Sequence, residues 1–122
     1  MTNTLYFIDD GYTQTGHILP IEGLHGAVTF QFRPMLYEQR QRVSELLKAA
    51  ATGEATQVLA AAICQQVLSW SLPRELKPAN VRRLRPKLLD RIYLIVAGHE
   101  ASDPLPSGQA VETYDEIADA KN

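Results

Sequence analysis

The sequence predicts an α+β fold that is mostly α: an N-terminal β-hairpin packed on a compact bundle of three to four helices, followed by a mobile acidic C-terminal tail. Three observations carry that expectation. Along "VTFQFR" the apolar Val28, Phe30 and Phe32 alternate with Thr29, Gln31 and Arg33, which is the period of a strand with one buried face. Later stretches space their apolar residues three and four apart, the period of an amphipathic helix. After His99, two prolines, a glycine and an excess of acid leave too few large apolar residues for a second core.

A chain of 122 residues, 45% hydrophobic and 21% charged, has the size and composition of one ordinary globular domain. The domain is placed at residues 1–99 and the tail at 100–122. The opening residues mix Leu5, Tyr6, Phe7 and Ile8 with a turn signal at Asp9, Asp10 and Gly11. A hairpin is expected over about 17–33, with Gly23 and Gly26 between its two extended runs. Two strands alone are marginal in water, so the apolar face needs helices against it.

Pro34 ends the strand, and a helix over about 35–51 follows, its stripe formed by Leu36, Arg40, Val43, Leu47 and Ala50. Thr52 and Gly53 interrupt it. A second helix, about 54–70, carries Leu59, Ile63, Val67 and Trp70 on one face, and Ala60, Ala61 and Ala62 would let another helix approach closely. Pro73 and Pro78 bracket a connector, and Asn80 is a candidate cap for a short helical turn. The last helical region, about 80–97, has Pro86 at the start of its long segment and Gly98 as its stop. Its main stripe is Leu84, Leu88, Ile92 and Ile95, and Leu89, Leu94 and Val96 widen the stripe until the end is apolar nearly all round. Such a segment is central in a core or lies in an interface.

Chemistry is sparse. Cys64, the only cysteine, has no cationic neighbour within helical reach to lower its pKa, so it is expected to be a packed thiol. His17, His25 and His99 show neither paired-histidine nor C-x-x-C spacing, and "DDGYTQTG" lacks the glutamate that would close a calcium loop. There is no glycine-rich phosphate loop and no G-x-S-x-G elbow. The expectation is a protein without catalytic residues, bound cofactor or metal. The longest strongly apolar run, residues 92–98, is far too short to span a bilayer, and the start lacks the basic and apolar regions of a secretory signal.

The formal charge of -2 is unevenly spread. Arg74, Lys77, Arg82, Arg83, Arg85, Lys87 and Arg91 face only Glu75 and Asp90 in their segment, whereas from Glu100 onward six acids face Lys121 alone. The basic stretch permits a nucleic-acid reading through Arg82, Arg83, Arg85 and Lys87. Pro78 and Pro86 break it, however, few aromatics interleave it, and a solvated helix face is the favoured reading over nucleic-acid binding.

The turn "GYTQTGHI", the strand and proline of "VTFQFRPML", the helix-ending "SWSLP" and the closing "LRPKLLDRIYLIVAG" together resemble the tail assembly chaperones of long-tailed bacteriophages and prophages, over roughly residues 11–98. That resemblance implies a non-enzymatic protein of the host cytoplasm. It would coat the tape-measure protein, keep it soluble and leave as tail-tube subunits polymerise, so it would be missing from the mature virion. Self-association is also open. Members of this family often occur in two lengths through a ribosomal frameshift, and Ala120, Lys121 and Asn122 can be encoded by a slippery run. The apolar end of the last helix, with Leu89, Tyr93, Leu94 and Val96, is the expected partner face for a helical ligand. The competing expectations are a small nucleic-acid-binding helical protein and a minor virion structural protein such as a tail completion protein.

Overall fold

The structure, a computed structural model, describes residues 12–104. The turn expected at Asp9, Asp10 and Gly11, and the tail from residue 105 onward, lie outside the described residues.

The hairpin forms as an antiparallel pair, β1 (Gln14–Ile18) and β2 (Val28–Phe32). β1 begins earlier than the hydrophobic pattern suggested and ends before Pro20, which has no amide hydrogen to offer a sheet. Val28, Phe30 and Phe32 are buried as the alternation required. Opposite Phe30 stands Gly16, and a Cβ at Gly16 would lie 2.3 Å from the Phe30 ring, so only glycine leaves room for that aromatic.

Pro34 and Met35 lead into α1 (Tyr37–Ala49), where Gln39 Oε1 accepts a hydrogen bond from the Leu36 amide at 2.7 Å and satisfies a donor at the helix start. Gly53, with φ of 91°, turns the chain into α2 (Glu54–Gln66), and the Glu54 carboxylate accepts from the Ala51 amide. Here the structure corrects the sequence reading. The second helix stops at Gln66, and residues expected to be its last turn form β3 (Val67–Trp70), paired antiparallel with β2. Gln66 makes the switch: its side-chain amide donates to Arg33 O at 2.7 Å while its own carbonyl accepts from the Arg33 amide. The sheet order is therefore β1-β2-β3. Leu68 is the extra residue of a bulge in β3 and is left 50% exposed.

The final helical region is also divided, into α3 (Pro78–Val81) and α4 (Pro86–Val96), each with proline in its first turn. Asn80 is not a cap: it lies inside α3, and its side chain donates to Glu75 O. Gly98, with φ of 83°, ends α4 as expected, its amide donating to Ile95 O.

One core unites the layers. Ile18, Val28, Phe30 and Phe32 from the sheet join Ala60 and Ile63 of α2, Val81 of α3, and Leu88, Leu89, Ile92, Ile95 and Val96 of α4. α2 is central, packed against α1, α3 and α4. Ala60 and Ala62 are buried, which is the close helix approach that their small side chains allow. The start of the expected tail is not loose: residues 100–103 return to β1 and α4 through hydrogen bonds and ion pairs.

Candidate functional site

Each sequence-predicted position has a definite place. Leu89, Tyr93 and Val96, expected to face a partner, are 4%, 7% and 0% exposed and belong to the chain's own core. The surplus of apolar residues that widened the α4 stripe is used by a helix in contact with both α2 and β1, so this face is not available to a ligand in the folded chain. Leu94 is the exception. It is half-buried and lines a cavity of about 360 Å³ with Ile18, Leu19, Ile21 and Lys87.

Arg82, Arg83, Arg85 and Lys87 are all exposed, and among the described residues none of them forms a salt bridge. They cluster around the α3–α4 connection. Arg91, one turn beyond Lys87, behaves differently: it holds Glu100 and Asp103 at 2.8 and 2.9 Å. Asp103 is consequently well provided with donors. The Leu19 backbone amide lowers its pKa most, Arg91 lowers it further, and partial burial opposes both.

Cys64 is half-buried, and burial raises its thiol pKa, the opposite of what a nucleophile needs. His17 is buried on β1, with Nδ1 3.2 Å from Thr29 Oγ1 and Nε2 without a hydrogen-bond partner. Among the described residues no three His, Cys, Asp or Glu side chains are grouped to hold a metal ion, and no described helix is long and apolar enough to cross a membrane. Trp70, expected on a core helix stripe, sits on β3 half-buried, its indole N–H donating to Arg74 O at 2.7 Å.

The surface that sequence reasoning missed lies between α1 and α2. A groove of about 440 Å³ runs there. Its floor is Met35, Val43 and Ala62, all buried, and its walls are Leu46, Val58 and Ala61. Leu46 is 50% exposed and Ala61 is exposed. The rim is polar and mostly uncharged, with Gln39, Gln57 and Gln65, while Arg42 is its one cation. Gln39 also donates to Gln66 Oε1 at 3.3 Å, which ties the two helices together at one end. Its lining runs from Gln39 to Leu46 on α1 and from Gln57 to Gln66 on α2, so the walls extend for about 10–15 Å. An apolar floor, small side chains and hydrogen-bonding walls suit a helix laid lengthwise. The sequence signal was present in two residues, Leu46 beside the stripe member Leu47 and Ala61 between two alanines that the core consumes.

No protein-family model, no curated protein and no solved structure matches this chain.

Proposed function

We propose that this chain is a non-enzymatic tail assembly chaperone of a long-tailed phage or prophage, which binds the tape-measure protein and keeps it soluble in the host cytoplasm during tail morphogenesis. The observation that carries this reading is the groove between α1 and α2, an apolar trough with an amide rim that the described residues leave open. A tape-measure protein presents long helices with apolar stripes, and a stripe of small and aliphatic residues can fill such a trough while glutamines bond to its polar flanks. The resemblance over residues 11–98 motivates the choice of partner, and the groove supports the reading as a surface a helix could fill.

Co-expression with the tape-measure protein tests both parts. A soluble complex is expected, and Leu46→Glu should abolish it by placing a charge in the trough. Because Leu46 is 50% exposed, that change should lower the stability of the free protein by only about 1 kcal/mol, which leaves it folded. Unchanged association of the Leu46 variant would move the binding surface elsewhere, and no association of the wild-type chain would end the proposal.

The second reading, a nucleic-acid-binding protein, rests on the four exposed cations Arg82, Arg83, Arg85 and Lys87. It requires duplex binding that weakens steeply with salt. A titration from low to moderate salt distinguishes the two readings, since a chaperone acting through the α1–α2 groove is indifferent to nucleic acid.

A further inference from the structure

The outer edge of β1 is occupied by the chain itself. Among the described residues β1 pairs with a strand, β2, along one side only, so the amide and carbonyl of His17 and the amide of Leu19 face outward. Residues 102–103 satisfy all three. The Asp103 amide donates to His17 O at 2.8 Å, the His17 amide donates to Ser102 Oγ at 2.6 Å, and Asp103 Oδ2 accepts from the Leu19 amide at 2.9 Å. The Ser102 hydroxyl also lies 3.1 Å from His17 O, within donating distance.

The far side of the same short segment is held by α4. Arg91 donates through Nη1 to Glu100 Oε1 at 2.8 Å and to Ala101 O at 3.1 Å, and through Nη2 to Asp103 Oδ1 at 2.9 Å. The Asp103 carboxylate therefore bridges strand and helix, one oxygen on a backbone amide and the other on a guanidinium. Among the described residues of this segment, 100–104, there is no apolar anchor: Ala101 and Pro104 are exposed. Next to it lies the cavity of about 360 Å³ lined by Leu19, Ile21 and Leu94, with Leu19 and Ile21 each 44% exposed. Among the described residues, the segment meets this surface with Glu100 and Asp103, on its polar side.

We infer that the outer edge of β1 together with Arg91 is a docking site for an extended acidic peptide, and that residues 100–103 are its resident intramolecular occupant. The occupant defines the ligand chemistry. Two carboxylates three residues apart meet Arg91, a hydroxyl just before the second carboxylate meets the strand edge, and a large aliphatic side chain nearby has the cavity to enter. Strand addition supplies the backbone part of the recognition, and the guanidinium supplies the charge part. The resident segment is held by partly exposed ion pairs and a few hydrogen bonds, each individually weak, so its advantage over a free competitor is its tether. This site is independent of the α1–α2 groove and of the tape-measure reading.

The test uses the full chain with Glu100→Ala, Ser102→Ala and Asp103→Ala combined, and a fluorescent synthetic peptide with the sequence of residues 99–106. The triple variant should bind the peptide at least tenfold more tightly than the wild-type chain does. Adding Arg91→Ala should remove most of that binding. In the complex, the amides of His17 and Leu19 should regain protection from hydrogen exchange. Equal binding by wild type and triple variant, no binding by a folded triple variant, or binding indifferent to Arg91→Ala would each overturn the inference. If the triple variant does not fold, Asp103→Asn takes its place with the same tenfold criterion.

Discussion

The end of α4 and the trough between α1 and α2 make opposite use of their apolar residues. The α4 end is the most apolar stretch of the chain, yet Leu89, Tyr93 and Val96 are sealed inside. The α1–α2 pair is rich in glutamine, alanine and charge, yet it leaves Leu46, Val58 and Ala61 lining an open groove. Hydrophobicity therefore locates the core, because apolar area leaves water wherever the fold permits. The groove, by contrast, is lined by small and isolated apolar residues set among glutamines, a composition that stays soluble when exposed.

Substitutions should separate the two regions most clearly at the core. Ile92→Ala deletes a side chain that is 1% exposed and should cost about 2–5 kcal/mol in urea unfolding, while the remaining folded molecules bind a groove ligand normally. A small loss at Ile92 would mean that the α4 end is not the centre of packing. Trp70 lies between the extremes. It is half-buried on an outer strand with its indole N–H bonded to Arg74 O, so Trp70→Ala should cost about 2 kcal/mol, less than a fully buried tryptophan. A cost as large as that of a central core residue would place β3 deeper in the fold.

Cys64→Ala should be smaller still, under about 1 kcal/mol for a small, half-buried side chain. Because burial raises its thiol pKa, Cys64 should react with alkylating reagents more slowly than an unhindered thiol at neutral pH, and rapid labelling would contradict the packing described. The smallest effect concerns acid. The folded pKa of Asp103 lies below its ordinary value, chiefly through the Leu19 amide, with Arg91 and His17 adding in the same direction. Its contribution is therefore present above the ordinary carboxylate value and lost only as pH falls through the lowered one. Glu100 is the other carboxylate that Arg91 holds. The protection of the Leu19 amide, taken as its exchange rate relative to the intrinsic rate at the same pH, should hold through the ordinary carboxylate range and fall below it, and a loss of protection already at higher pH would argue against the bridge.

Much of the fold was legible because it is written in local periods. The alternation of Val28, Phe30 and Phe32, the helical spacing of α1 and of most of α2, and the Pro86 to Gly98 limits of α4 each follow from neighbours in sequence. Residues 67–70 were not legible. Val67 and Trp70 fit the preceding helical stripe as well as they fit a strand, and the choice is made by the open edge of β2 and by Gln66 binding Arg33, 33 positions away. The docking of residues 100–103 was hidden for the same reason, since Ser102 meets His17 across 85 positions.

By itself, the sequence determined the hairpin, the positions of the long helices, the punctuation between them and the residues that had to leave water, because all of these depend on spacing and on turn chemistry within a few residues. Tertiary structure alone decided that residues 67–70 become a strand, that the most apolar face is interior, that a groove remains between α1 and α2, and that an acidic segment closes the edge of β1. Those outcomes depend on which backbone groups and which surfaces are still unsatisfied once distant parts of the chain have met, and no local period records that.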